Sequence, residues 1–185
     1  MIEDTKQDAK ANMEKALEAL GRDLKRVRTG RATPSLLDGV RANYYGAPTP
    51  LNQMASVSSP EPRLLLIQPW DPKSCEAIEK AILKSDLGLT PMNDGKVVRI
   101  SIPPLTEERR RELAKVVRKM GEETKVAVRN ARREANELLK EFKKSGDVSE
   151  DEAYKGQDEI QKLTDDYVAK VDDLLTTKEK EIMEF

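Results

Sequence analysis

All ten prolines of this 185-residue chain lie between Pro34 and Pro104, and that confinement decides where helices can form. Proline has no N–H to donate and its ring clashes with the preceding turn, so it breaks a helix interior. Long helices are open to the two ends of the chain and closed to its middle. In the first end segment Met13, Leu17, Leu20, Leu24 and Val27 keep a 4,3,4,3 spacing, which predicts an amphipathic helix over 3–28 with a coiled-coil-like seam. Gly30 is expected to cap its C-terminus.

Beyond the prolines the helical pattern returns at greater length. Over 106–144, Leu113, Val117, Met120, Thr124, Ala127, Ala131, Leu138 and Phe142 recur at steps of three, four or seven, with Val116, Val128 and Ala135 at the edge of the stripe. Such positions share one side of an α-helix, and Thr106 can cap its first turn. Gly146 breaks the run. Ser149 with Glu152 three residues later is a capping-box signature, opening a third helix whose apolar side is Ala153, Ile160, Leu163, Tyr167, Val171, Leu174 and Ile182. No helix can bury its own seam, so the three are expected to pack together as a bundle.

The proline-rich middle predicts strands at 40–45, 53–57, 63–68 and 97–102, separated by turn-rich YGAPTP, SSPEP and PMNDG. A short helix over 73–85 should bury Cys75, Ile78, Ala81 and Ile82. The expected fold class is α+β in two domains: a long three-helix bundle, discontinuous over 1–30 and 105–185, with a small α/β domain, 31–104, inserted between helices 1 and 2. The chain must cross between them twice. Gly30 and Arg31 on one crossing, with Pro103, Pro104 and Leu105 on the other, form a candidate hinge, since Gly absorbs dihedral change and proline confines motion to the ends of its strand.

The 33 basic and 34 acidic residues leave a net charge of −1, but the balance is only global. Residues 106–144 carry +5 and residues 145–185 carry −8. Opposite the apolar stripe of the second long helix, Arg111, Arg118, Lys125 and Arg132 follow at intervals of seven, joined by Lys115, Arg129, Arg133, Lys140 and Lys143 and interrupted by Glu122. A nearly unbroken cationic front suits a polyanion, nucleic acid foremost, with a charged protein interface or a merely solvated face as the alternatives. The third helix repeats Asp151, Asp158, Asp165, Asp172 and Glu179 at the same interval. Lacking the compact loop that gathers ligands around a cation, this row reads as a solvated face.

Absences narrow the chemistry. Without histidine the chain lacks the usual general base near neutral pH and the commonest metal ligand. Cys75, on an apolar helical face, reads as a small buried hydrophobe. Neither GxxxxGK[ST] nor GxGxxG is present to cradle phosphates, and Asp71, Glu76, Glu79 and Asp86 around the short helix suggest no paired catalytic site. No enzyme activity, cofactor or metal is expected. The N-terminal MIEDTKQDAK carries no secretory or transit signal and no segment approaches the ~20 apolar residues of a membrane span, so a cytoplasmic monomer away from membranes is expected.

Five motifs then converge: RTGRATPSLLDG (28–39), YYGAPTPL (44–51), SDLGLTP (85–91), PPLTEERR (103–110) and VAVRNARREAN (126–136). In order and spacing the whole chain resembles the bacterial ribosome recycling factors. Thr33, Ala47 and Glu134 depart from residues common there, without removing a positive charge or a hinge position. The resemblance implies an L-shaped molecule with a tRNA-like outline. It implies action with elongation factor G and GTP, hydrolysed by that partner, to split the post-termination ribosome so that mRNA and deacylated tRNA leave. It also implies a bundle docked on large-subunit rRNA. Carried over by position, Arg28, Arg110, Arg129, Arg132 and Arg133 would face that RNA, and the heptad row adds Arg111, Arg118 and Lys125. The alternative is a helical adaptor that binds RNA or an acidic protein without recycling activity.

Overall fold

In the computed structural model, which describes residues 1–184, the chain forms two compact units, 1–28 with 107–184 and 29–106. In chain order the elements are α1 (Ile2–Arg26), β1 (Arg41–Tyr44), β2 (Ala47–Pro50), β3 (Ala55–Glu61), β4 (Leu64–Pro69), α2 (Cys75–Lys84), β5 (Pro91–Asn93), β6 (Val98–Ser101), α3 (Glu107–Ser145) and α4 (Glu150–Glu184).

The first unit is a three-helix bundle in which α1, α3 and α4 each pack on the other two. Its core is layered. Ala9, Ala135, Leu139 and Ile160 form one layer, and Met13, Val128, Ala131 and Tyr167 the next. With few aromatics available, small residues draw the helices together: a Cβ on Gly121 would stand 2.2 Å from Leu175 Cδ1, and one on Gly156 would stand 3.0 Å from Leu139 Cδ1. The α3–α4 connection is closed by the amides of Gly146, Asp147 and Val148 on the carbonyls of Lys143 and Phe142. The capping box forms as the spacing predicts, Glu152 N–H donating to Ser149 Oγ at 3.2 Å and Ser149 N–H to Glu152 Oε2 at 2.8 Å.

Two details of the helices differ from expectation. Gly30 does not cap α1: the helix ends at Arg26, Val27 is already extended (φ −73°, ψ 115°), and Gly30, at φ 78°, lies beyond it in the crossing. The core line of α3 runs through Gly121, Val128, Ala135 and Leu139, whereas Ala127 and Leu138 are exposed and Val116 is 44% exposed. At 100° per residue Ala127 and Leu138 stand roughly 60–80° off the buried direction. Glycine and alanine mark the seam because helix approach, not side-chain hydrophobicity alone, selects it.

The second unit holds a four-stranded antiparallel sheet, order β3-β4-β6-β5, and a separate β1–β2 hairpin. Leu65 and Ile67 of β4 alternate inward with Val98 and Ile100 of β6, and α2 lays Cys75, Ile78 and Ile82 into the same core. Three strands run through prolines that the sequence assigned to turns. In β2 the pairs Arg41↔Pro50 and Asn43↔Pro48 place both prolines on alternate residues. Their missing N–H groups therefore face the same way, away from β1. Pro91 opens the edge strand β5, and Pro60 sits in edge strand β3, where the register shifts between Ser58 and Glu61. Proline is excluded from positions whose N–H must donate to a partner strand rather than from strands.

Both ends of this unit are tied to neighbouring residues of the β3–β4 turn. Ala32 N–H donates to the Pro62 carbonyl at 2.7 Å, and Ile102 N–H to the Arg63 carbonyl at 2.8 Å. Past those bonds the chain continues to the bundle through 29–31 on one side and 103–106 on the other.

Candidate nucleic-acid interface

The cations of α3 divide into two groups. The heptad row turns toward α4: Arg118 Nε lies 3.1 Å from Glu179 Oε1, Lys125 Nζ lies 2.6 Å from Asp172 Oδ1, and Arg132 Nη1 donates to Gln161 Oε1 at 3.0 Å. Gln161 in turn donates to Asp165 Oδ1 at 2.8 Å. Arg118 and Lys125 thus meet the acidic heptad of α4 in reverse order, as antiparallel helices require, and Arg132 reaches it only through Gln161. Of the row expected to be a free cationic front, Arg118, Lys125 and Arg132 instead form an interhelical ladder. A seven-residue step falls about 20° short of two helical turns, so such a row winds around the helix instead of staying on its outer face.

Lys125 is the most committed member, its side chain 15% exposed between Asp172 and Glu122. The hydrogen bond to Asp172 pushes its ammonium above the ordinary lysine range, outweighing burial. Arg111 pairs within its own helix, with Glu107 at 2.6 Å. Arg110 is half-buried, donates from Nη1 to the Met183 carbonyl at 3.0 Å, and leaves its buried Nε without a partner among the described residues, fastening the start of α3 to the end of α4.

The second group faces solvent. Lys115, Lys119, Arg129, Arg133, Lys140 and Lys144 fall within about 40° of one direction, opposite the core. All six are exposed, and none makes an ion pair with another described residue. Glu122 and Glu137 are the acids on this stripe, and Glu122 lies 3.6 Å from Lys125. Arg129 and Arg133 stand one turn apart, and their planar forks can each take a phosphate by two hydrogen bonds. Arg28 is exposed just past α1 and is equally unpaired among the described residues. Lys119 and Lys144 were missing from the expected set, because the signal that finds them is the 4,3 alternation rather than the interval of seven.

Three of the four acids around the short helix, Asp71, Glu76 and Glu79, are occupied structurally. Asp71 accepts from Lys73 N–H at 3.0 Å, Glu76 pairs with Lys80 at 2.8 Å, and Glu79 accepts from Asn93 at 3.2 Å. Burial raises the Cys75 thiol above its usual range and keeps it protonated. Among the described residues no cluster of three or more Cys, Asp or Glu could hold a metal, and no helix is long and apolar enough to cross a membrane.

Comparison with known proteins gives one family. The family model for ribosome recycling factor matches residues 20–183. The ribosome-recycling factor of Desulfatibacillum aliphaticivorans is 61% identical over 185 residues, covering 100% of both chains, and that of Syntrophus aciditrophicus (strain SB) is 63% identical over 177 residues, 96% of each. A solution structure of a ribosome recycling factor superposes with TM-score 0.74 at 41% identity, covering 100% of this chain and 98% of that one. A further structure, with TM-score 0.64 and 49% identity over 98% of both chains, is of the T. thermophilus ribosome recycling factor and the E. coli elongation factor G bound to the E. coli post-termination complex.

Proposed function

The chain belongs to the ribosome recycling factor family, and on that premise we propose that it splits post-termination ribosomes together with elongation factor G, its bundle anchored on large-subunit rRNA by the outer stripe of α3. The observation that carries this reading is the division of the α3 cations. The ladder neutralises the flank shared with α4, while Lys115, Lys119, Arg129, Arg133, Lys140 and Lys144 remain uncompensated in a line. A long helix with a mainly cationic outer edge binds a phosphate backbone by counterion release and gives it a fixed orientation. The chain makes and breaks no covalent bond, and the energy comes from the GTP of its partner. This work puts the protein with the ribosomes of the cytoplasm.

The inserted unit transmits the partner's motion about a hinge at Gly30, Arg31, Pro103, Pro104 and Leu105. The Ala32–Pro62 and Ile102–Arg63 hydrogen bonds support that reading, since they leave only residues 29–31 and 103–106 between the tied ends of the insert and the bundle. Gly30 already occupies the left-handed region at φ 78°, and Pro103 and Pro104 stiffen the opposite strand.

Co-sedimentation with large subunits over a salt series tests the anchor. Arg129→Glu with Arg133→Glu should weaken binding and flatten the slope of log K against log salt by roughly 0.7–0.9 per lost phosphate contact. Unchanged affinity and slope would overturn it, and a complex that survives ribonuclease would favour an acidic protein as the partner instead.

A further inference from the structure

The β1–β2 hairpin turns through Tyr45 and Gly46, at φ 51° and 85°. Two successive left-handed residues make a type I′ turn, whose first position favours Asn, Asp or Gly. Tyr45 is the one non-glycine residue with positive φ among those described, and its side chain is 82% exposed, so packing does not account for a bulky aromatic there. The ring is nevertheless held in place. Its hydroxyl donates to Asp71 Oδ2 at 3.0 Å, and Tyr44 meets it edge-on with centroids 4.5 Å apart. An unfavourable backbone kept at an exposed, fixed side chain is a mark of function.

Beside this turn, β1 and α2 border an open groove of about 580 Å³. Arg41, Lys73, Lys80 and Lys84 line it against a single acid, Glu76, which is taken up by Lys80 at 2.8 Å. The side chains of Arg41, Lys73 and Lys84 are exposed and make no ion pair or hydrogen bond with another described residue. Ala42, Ala77 and Ala81 form a floor too short to hold a sugar-phosphate backbone away. Tyr45 stands at the Lys73 end, because Asp71, which fixes the ring, also accepts the Lys73 N–H at 3.0 Å.

We propose that this groove binds a single-stranded RNA segment, with phosphates on Arg41, Lys73 and Lys84 and an unpaired base stacked on Tyr45. Helical rise spreads Lys73 and Lys84 over roughly 15 Å, more than one phosphate group can bridge. A duplex keeps its bases stacked internally and offers Tyr45 no free face. The site shares no residue with α3 and stands independently of the rRNA anchor.

The test uses the full-length chain carrying Arg129→Glu and Arg133→Glu, titrated into a fluorescein-labelled oligo(U) RNA of about ten nucleotides. Binding should persist in anisotropy with a salt slope of about −2, for three phosphates at ~0.7 each. Arg41→Glu with Lys84→Glu should abolish most of that slope. Tyr45→Gly, which relaxes the turn while removing the ring, should weaken binding about 5- to 100-fold and leave the slope unchanged. No binding in the anchor-deficient chain, indifference to Tyr45→Gly, or equal affinity for a duplex of the same length would each overturn the proposal. None of these outcomes bears on the anchor, which is read from large-subunit binding.

Discussion

Lys125 Nζ and Asp172 Oδ1 meet at 2.6 Å across α3 and α4, with the lysine side chain 15% exposed. That contact makes Lys125 part of the bundle's construction rather than of its outer charge. Lys125→Ala should cost about 0.5–1.5 kcal/mol, a value for one hydrogen bond to a partly screened charge. It should leave the salt slope of large-subunit binding as it is. Thermal melts and salt-series sedimentation on the same sample separate this residue from Arg129, whose substitution should do the reverse.

Tyr167 predicts a high-pH effect on stability. Its ring is buried and its hydroxyl donates to Glu14, so burial first and then that bond push the phenol from 10.0 up to about 12. The folded state holds this proton more tightly than the unfolded chain. The contribution is therefore complete below about pH 10 and is lost as pH rises toward 12, at up to 1.36 kcal/mol per pH unit. Urea unfolding of the wild type and of Tyr167→Phe at successive pH values should show the difference in stability shrinking over that window. Parallel curves would count against it.

Gly121 and Leu175 should be coupled with a change of sign. Gly121→Ala gains about 1 kcal/mol of helix propensity. Its Cβ would also come within 2.2 Å of Leu175 Cδ1 and 3.0 Å of Cγ, so the whole isobutyl group must repack. Overpacking of this kind costs typically about 1–3 kcal/mol. The substitution is expected to destabilise the wild type and to stabilise a Leu175→Ala background, as a double-mutant cycle would measure.

Gly30→Ala asks an L-residue to hold φ 78°, at a cost of about 1–2 kcal/mol. With the hinge reading, it should slow subunit splitting with elongation factor G more than it weakens large-subunit binding. Equal loss in both assays would place Gly30 outside the hinge.

How much of this was legible beforehand depended on which period a residue obeyed. The Ser149–Glu152 box and the buried positions Met13, Leu20 and Leu24 follow local rules and were readable directly. Arg118, Lys125 and Arg132 repeat at seven, yet no single helix reveals that residues of another helix will claim them. Pro48, Pro50 and Pro91 read as turn residues because the direction of a missing N–H depends on a strand partner not named by the local sequence. Tyr45 reads as a strand end running into turn-rich YGAPTP, and its left-handed φ is hidden for a related reason: it follows from a two-residue connection fixed by the pairing of Tyr44 with Ala47.

The pair of bonds at Pro62 and Arg63 also bears on how the discontinuous bundle can assemble. Closing a flexible loop of roughly 70 residues costs about 4 kcal/mol in (3/2)RT ln n alone. Once the insert has folded and its ends are fastened to adjacent peptide groups, that entropy has already been surrendered. Helix α1, made first during synthesis, then meets α3 as though a short tether joined them, and the late partners arrive at a chain whose longest separation has vanished.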